Sequence, residues 1–165
     1  MQPRILSETP EVILRPTVFT DAAELGPRLR ACDLAEIKAL VDKEPAAALL
    51  DCFAETGDRG FTVTVRGVPT IMAGIAPHPT DPTIGVPWLL ASDDMYEIVP
   101  LFLKHQHELL DETIAGSGYV SLMNVTANLS PVCLRWLESM GYVLGEILPG
   151  LGRNGEDLQV FTREC

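Results

Sequence analysis

The first third of the chain places hydrophobic residues at alternating and then at helical spacing. Val12 and Leu14 alternate with polar positions, which predicts a strand from Glu11 to Phe19, and residues 1–10 before it predict a polar arm. Beyond this strand, hydrophobic residues recur every three to four positions, the spacing of an amphipathic helix. We therefore predict two or three helices: one that Thr20-Asp21 caps ahead of 22–25, one from Asp33, and one over 46–55 between Pro45 and Gly57.

From residue 61 the hydrophobic period becomes two. The segment 61–65 alternates hydrophobic and polar residues, and Arg66-Gly67 is a typical two-residue hairpin turn, so we predict a hairpin here. The segment 84–91 is apolar on both faces, as is typical of a central strand. Further strands are predicted at 70–76, 119–125, 142–148 and 158–162, a short turn at 93–98, and helices at 100–113 and 130–140.

The last of these helices has the clearest boundary signals. Ser130 is a typical N-cap, Pro131 suits the first helical position because no N–H is needed there, and Gly141 suits a left-handed residue at the C-terminus. Trp136 falls at the edge between the inward and outward faces, so we predict that it contacts a partner protein. The residues predicted to face the sheet are Leu134, Leu137 and Met140, and those predicted to face water are Arg135 and Glu138.

Together these elements predict an α/β (α+β) fold. Strands joined first by a hairpin and then through helices form a mixed, mostly antiparallel, twisted sheet of six or seven strands, with three or four helices packed on it. A single domain would span residues 11–165. Within it, the strand over 119–125 should lie beside the central strand over 84–91 and run parallel to it.

The order of these elements and several short motifs resemble the GNAT superfamily of N-acetyltransferases. The segment Tyr119-Val-Ser-Leu-Met-Asn-Val125, the helix from Ser130 and the pair Gly141-Tyr142 are similar to the superfamily's strand–helix–Gly-aromatic signature. A closer resemblance is to the small internal virion proteins of short-tailed phages, which themselves look like reduced GNAT domains. This resemblance is carried by Val86-Pro-Trp-Leu-Leu-Ala-Ser-Asp93, Pro100, Asn124-Val125, Leu134-Arg-Trp-Leu137 and Gly141-Tyr142.

The resemblance implies a coenzyme A site, but two positions depart from the superfamily's chemistry. The superfamily holds the cofactor's pyrophosphate on a Gln/Arg-x-x-Gly-x-Gly/Ala turn, whereas the matching residues here read Ala91-Ser-Asp-Asp-Met-Tyr-Glu97, with three carboxylates and no glycine. Like charge opposes the binding of a multivalent anion. The superfamily often places a proton-donating Tyr on its last helix, and the matching residue is Leu137, which has no proton to donate. We therefore expect no catalytic residue and no cofactor.

Three functions stay open at this point. The first expectation is a GNAT-fold phage protein without acetyltransferase activity, which is a virion or virion-associated (internal or ejected) component. It would lie in the virion or the host cytoplasm and bind other phage virion proteins or a host protein. The second is an acyl-CoA-dependent N-acetyltransferase that modifies a host protein or a small amine. The third is a host-takeover protein that binds and inhibits a bacterial enzyme.

Under the second function, acetyl-CoA would contact residues at the end of the central strand and in the segments that follow it. Asn124 lies where two parallel strands are expected to diverge, and its side chain would hydrogen-bond either the ligand or the backbone of the strand end. The complete set of cofactor-binding candidates is Leu90, Ser92, Asn124 and Ser130.

Composition narrows the range of partners. Twelve Lys and Arg residues stand against 23 Asp and Glu, and the resulting net charge of −11 opposes contact with a nucleic-acid backbone. The sequence contains no stretch of about 18 apolar residues, so it predicts no membrane span. The four cysteines include no Cys-x-x-Cys pair, and the three histidines do not complete a zinc motif, so we expect no metal site.

Overall fold

A tight turn forms the hairpin in the middle of the sheet. Arg66 and Gly67 have φ angles of 51° and 77°, both positive as a type I′ turn requires. The computed structural model describes residues 2–165, in which this hairpin belongs to one eight-stranded sheet. The strands are β1 (Arg4–Glu8), β2 (Glu11–Pro16), β3 (Phe61–Val65), β4 (Val68–Pro77), β5 (Ile84–Ala91), β6 (Ser121–Thr126), β7 (Val143–Leu148) and β8 (Leu158–Glu164).

The order of the strands across the sheet is β1-β2-β3-β4-β5-β6-β8-β7. Neighbouring strands run antiparallel except β5 and β6, which run parallel. The predicted central position of the strand over 84–91 and its parallel neighbour are therefore confirmed. The mixed, mostly antiparallel α/β class is confirmed as well.

Helices cover both faces of the sheet. Adjacent residues of a strand turn their side chains to opposite faces, so each face has side chains against which helices can pack. Met72 and Leu90 pack under the first three helices, whereas Ile75 and Leu122 pack under the last two. No helix within residues 2–165 is both long enough and apolar enough to cross a membrane. The helices are α1 (Phe19–Leu25), α2 (Ala31–Leu40), α3 (Pro45–Thr56), α4 (Val99–Ile114) and α5 (Pro131–Ser139), with short 3₁₀ turns at Gly26–Arg28, Gly57–Arg59 and Asp93–Ile98.

The N-terminal segment differs from the polar arm that the sequence predicts over residues 1–10. β1 pairs antiparallel with β2 and forms one edge of the sheet, with a bulge at Leu6. Ile5 is 60% exposed while Leu6 packs on the core, an alternation too short to identify a strand from sequence. The sheet therefore has eight strands and is joined by five α-helices, where six or seven strands and three or four helices are predicted.

The junction between β2 and α1 also differs from its prediction. β2 ends at Pro16 and α1 begins at Phe19, with Val18 as the N-cap residue instead of the predicted Thr20-Asp21 pair. The carboxylate of Asp21 reaches back from the first turn and accepts the N–H of Val18 at 2.9 Å. This capping interaction starts the helix earlier than the sequence predicts.

The predicted boundaries of α5 are confirmed. The Ser130 hydroxyl accepts the N–H of Cys133 at 3.3 Å, and Pro131 is the first helical residue. Gly141 follows the helix with a φ of 84°, a left-handed conformation. Leu137 and Met140 are buried and Leu134 is half-buried, while Arg135 and Glu138 are exposed as predicted.

Candidate functional site

The two parallel strands diverge shortly after they meet. β5 and β6 pair only at Ile84 with Ser121 and at Gly85 with Leu122. Gly85 permits this close approach, because a Cβ atom there would lie 2.7 Å from a Leu122 methyl carbon and 2.6 Å from one of Ile75. Beyond Gly85 the strands no longer pair, so a gap opens in the middle of the sheet.

Asn124 bridges this gap. Its Nδ2 donates to the carbonyl oxygen of Pro87 on β5 at 2.7 Å, and its Oδ1 accepts the N–H of Val125 at 2.8 Å. The Asn124 amide therefore bonds the backbone of both strand ends, while its contact with a ligand stays a prediction.

The gap leads into a cavity of about 390 Å³. Residues from α2 and α3 line it on one face of the sheet and residues from α4 and α5 on the other, so the cavity passes through the sheet where β5 and β6 diverge. Its walls are mostly apolar. This volume lies near the lower end of the range for small-molecule sites.

One backbone unit of β5 faces the gap with its hydrogen-bonding groups free of strand pairing. Successive strand residues turn their N–H and C=O groups to opposite neighbours. The C=O of Pro87 and the N–H of Ala91 point away from β4, towards Asn124 and towards α2 respectively. Leu89, between them, therefore turns its N–H and C=O the same way, and β6 does not pair with it.

Glu36 is the acidic side chain that α2 contributes to the cavity wall. Its Oε1 accepts the N–H of Ala127 at 3.3 Å. Burial raises the pKa of the Glu36 carboxyl above its ordinary value, and the nearby charge of Asp33 raises it further. Glu36 is not among the candidate residues predicted from the sequence. The available signal was its helical spacing with Asp33 and Leu40, which places carboxylates beside apolar residues on the inward face of α2.

The thiols and the tyrosine of the cavity wall are half-buried or buried. Burial raises the pKa of the Cys52 and Cys133 thiols to about 11, so both stay protonated near neutral pH. Tyr142 is 6% exposed and packs edge-on against Phe161, with ring centroids 5.1 Å apart. Leu137, at the position that matches the superfamily's proton donor, is buried in the same cluster. Residues 2–165 include no cluster of three or more metal-binding side chains.

Two backbone donors at the end of β5 are bonded within the protein. The N–H of Ala91 donates to the Asp33 carboxylate at 2.8 Å, and the N–H of Ser92 donates to the carbonyl of Thr70 at 2.9 Å. Asp33 is 3% exposed and accepts two further hydrogen bonds from the Arg30 guanidinium, at 2.9 and 2.8 Å. A buried carboxylate of the protein itself thus holds the last backbone donor of β5.

Two of the three carboxylates of this segment are paired with arginines. Asp94 pairs with Arg28, and Glu97 pairs with Arg66 at 2.9 Å. The carboxylates are evident in the sequence but their partners are not, because Arg28 lies 66 residues from Asp94 and Arg66 lies 31 residues from Glu97 along the chain. The segment is therefore less negative than its sequence suggests, and its cations are already engaged.

The remaining candidates from the sequence lie at separate places in the fold, and of these only Leu90 and Trp136 line the cavity. Leu90 is buried under the first three helices, and Ser92 is 2% exposed. Ser130 caps α5. Trp136 is half-buried and donates its indole N–H to Gln106 at 2.9 Å, so its ring lines the cavity and does not lie on the outer surface. Contact of Leu90, Ser92, Asn124 or Ser130 with a cofactor stays a prediction, as does contact of Trp136 with a partner.

Comparison with known proteins identifies the fold. A GNAT-family acetyltransferase from Streptococcus pneumoniae matches with a TM-score of 0.66 and 16% identity, over 93% of this chain and 99% of the other. yncA from Salmonella typhimurium, solved with its cofactor acetyl-CoA, matches with a TM-score of 0.67 and 14% identity, over 93% of each chain. The Escherichia coli ribosomal-protein-S18-alanine N-acetyltransferase matches with a TM-score of 0.63 and 19% identity, also over 93% of each chain.

The chain therefore has the GNAT fold, and its neighbours with known structures are acetyltransferases of that fold. No protein-family model matches the sequence, and no curated protein matches it either.

The residues after β5 do not fit the pyrophosphate of the cofactor that the fold implies. Ala91 donates to Asp33, and Arg28 and Arg30 are each paired with a carboxylate. The segment from Ala91 to Glu97 contains no glycine, so it lacks the glycine-rich turn that binds an external anion.

Proposed function

We propose that this chain is a GNAT-fold protein that acts through binding and does not transfer acetyl groups. The supporting observation is the hydrogen bond from the Ala91 N–H to the buried Asp33 carboxylate. An anion of the protein holds the donor that an external pyrophosphate would need. Coenzyme A would have to displace Asp33 from both Ala91 and Arg30, and leave a buried carboxylate without its partners.

A thermal-shift comparison tests this proposal. A ligand that bound at 100 times its dissociation constant would stabilise the fold by roughly 2.7 kcal/mol. We expect no binding, so the melting temperature of the wild type should not change with 1 mM acetyl-CoA. The double variant Asp33→Ala/Asp94→Ala leaves Arg28 and Arg30 without these carboxylates, so inorganic pyrophosphate should stabilise it more than it stabilises the wild type. A clear rise in the melting temperature of the wild type with acetyl-CoA would contradict the proposal, whether or not the double variant folds.

Acetyl transfer is the second candidate function. The observation that favours it is the open gap between β5 and β6, where Leu89 turns its N–H and C=O towards the cavity. The superfamily uses this place for the arm of the cofactor. Acetylation of a small amine or a host protein by the purified chain, lost in a variant that fills the gap, would support this candidate over the first.

We also propose, from the sequence resemblance to the internal virion proteins of short-tailed phages, that the chain is a virion or virion-associated component. In that case it would lie in the virion or the host cytoplasm, and its partners would be other virion proteins or a host protein. Mass spectrometry of purified particles from the source tests this directly. Absence of the chain from the particles, with the chain present in infected cells, would favour the host-takeover alternative.

A further inference from the structure

One half of the sheet is bare on the face that the first three helices cover elsewhere. Leu122 of β6, Leu144 of β7 and Phe161 of β8 pack under the last two helices. Their neighbours along each strand turn to the opposite face. Within residues 2–165, the hydrophobic cluster under α1, α2 and α3 contains residues of β4 and β5 but none of β6, β7 or β8. The side chains of these three strands on that face therefore lack a covering helix.

Four uncharged side chains form the centre of this uncovered region, which we call the open face. Met123 on β6, Thr162 on β8 and Val143 on β7 lie side by side in register, and Val160 lies two residues from Thr162 on the same side of β8. Val143 is 67% exposed, and the other three are half-buried. None of the four lines the cavity between β5 and β6. The open face is therefore a mostly apolar surface separate from that cavity.

The open face has the dimensions of one helix. β6 and β7 are six residues long and β8 is seven. Three strands about 4.8 Å apart thus form a strip about 14 Å wide and about 20 Å long. An α-helix of about 14 residues has nearly the same length, and with its side chains it is about 10–12 Å across. α2 reaches only the end of the strip, where the Arg153 N–H donates to the Ala39 carbonyl at 2.8 Å. The strip therefore has room for one further helix.

The rim of the open face is acidic. β7 bulges opposite Val160, which places Glu146 at the outer edge of the open face. Glu164 lies two residues beyond Thr162, on the same side of β8. Both glutamates are exposed, and within residues 2–165 neither forms an ion pair. Their charges are therefore available to basic groups of a partner.

We propose that the open face binds an amphipathic α-helix of a partner protein, with the helix's apolar side on the four uncharged side chains and its basic side chains beside Glu146 and Glu164. Burial of apolar surface supplies the attraction, and the two glutamates favour basic over acidic flanks. A second copy of this chain suits the face less well, because in a symmetric pair the two acidic rims would meet. The inference rests on the proposed binding role, for which it names a surface and a partner.

Three synthetic peptides of about 14 residues separate the apolar and the charged parts of the proposal. The first has leucines along one side of a helix and lysines on the other. The second has glutamate in place of each lysine, and the third has the composition of the first in scrambled order. The first should bind saturably and shift the methyl signal of Met123 in NMR, while the signal of the buried Met72 stays in place. The second and third should bind at least tenfold more weakly.

Three variants locate the binding. Thr162→Glu and Val143→Glu each place a carboxylate on the open face. Each should weaken the leucine–lysine peptide at least tenfold, although general attraction to an acidic protein would strengthen it. Val132→Glu is the matched control, because it makes the same change at a side chain that is 72% exposed on α5, and it should not weaken binding. Val143 is at the exposed edge of the sheet, so its variant should fold, which circular dichroism would verify.

The proposal would be overturned if the wild type bound the leucine–lysine peptide no more tightly than the scrambled or the acidic one. Unchanged binding by Val143→Glu, or an equal loss in Val132→Glu, would overturn it as well. A Met123 signal that shifts with protein concentration, without peptide, would show instead that the open face pairs with a second copy. No measurement here involves coenzyme A, so this inference and the proposed absence of acetyl-CoA binding can fail separately.

Discussion

Asp21 shows how one carboxylate joins three parts of the chain. It is 1% exposed and accepts hydrogen bonds from both terminal nitrogens of Arg15 at 2.7 and 2.6 Å, from the Val18 N–H at 2.9 Å and from the Thr62 hydroxyl at 2.8 Å. Burial alone would raise the pKa of this carboxyl. The hydrogen bonds from Arg15, Val18 and Thr62 outweigh burial, and the pKa is lowered.

Asp21→Asn should therefore lower the free energy of unfolding by about 3 kcal/mol at pH 7, since it leaves Arg15 without its anion. A lowered pKa in the folded state contributes stability that is fully present above the unfolded value of about 3.9 and is lost as the pH falls through the folded value. In urea unfolding, the difference between wild type and variant should therefore stay constant from about pH 7 to about pH 5 and narrow as the pH falls below about 4. The exposed control Asp42→Asn should stay within about 0.5 kcal/mol. A difference for Asp21→Asn that is independent of pH would contradict this account.

Gly141 is the residue whose backbone conformation ends α5. Its φ of 84° is costly for any residue with a Cβ, and a Cβ here would lie 3.3 Å from Nε of Arg163. Gly141→Ala should therefore destabilise the protein by about 1–2 kcal/mol in urea or thermal unfolding. Gly145→Ala is a matched control, because its Cβ would make only ordinary contacts of 3.5 Å or more with Val160. Equal stability of the two variants would show that the helix does not need Gly141.

At the scale of elements, the sequence predicted those features that local residues determine. The Arg66-Gly67 turn, the caps of α5 and the fully apolar strand β5 each have their signal within a few consecutive residues, and all three are confirmed. β1 was missed because its strand character comes from pairing with β2 and not from its own pattern.

The candidate site was predicted less completely, for the same reason. The hydrogen bond of Asp33 to Ala91 spans 58 residues, and the pairing of Arg28 with Asp94 spans 66. No sequence spacing indicates contacts of this kind. They appear only once α2 and the segment after α1 are packed against the end of β5. Glu36 was missed because one carboxylate on an amphipathic helix is not distinctive.

The Asn124 side chain links β6 to β5 through its hydrogen bond to the Pro87 carbonyl. Asn124→Ala removes the Nδ2 donor to the Pro87 carbonyl and should lower the free energy of unfolding by about 1–2 kcal/mol. Asn124→Asp keeps an acceptor for the Val125 N–H but turns a carboxylate oxygen towards the Pro87 carbonyl. It should therefore be at least as destabilising near neutral pH. Chemical denaturation of both variants checks the order. A fully stable Asn124→Asp would show that the amide does not hold the two strands together.

For the whole molecule, the GNAT fold is retained although identity to its structural neighbours is below 20%. Most of the cations that could attract an anionic cofactor are paired within the protein. Of the twelve Lys and Arg residues, seven form ion pairs with Asp or Glu: Arg4, Arg15, Arg28, Arg30, Lys43, Arg66 and Arg163. With a net charge of −11, the molecule as a whole opposes a polyanionic ligand.

Isothermal titration of acetyl-CoA into the wild-type chain tests whether the protein binds the cofactor. We expect no saturable heat up to millimolar cofactor, because Asp33 holds the Ala91 donor and Arg28 and Arg30 are paired. Saturable binding with a micromolar dissociation constant, a binding free energy of about −8 kcal/mol, would contradict it. That result would mean that the cofactor displaces these carboxylates and that the chain retains the acetyl-CoA binding of its structural neighbour.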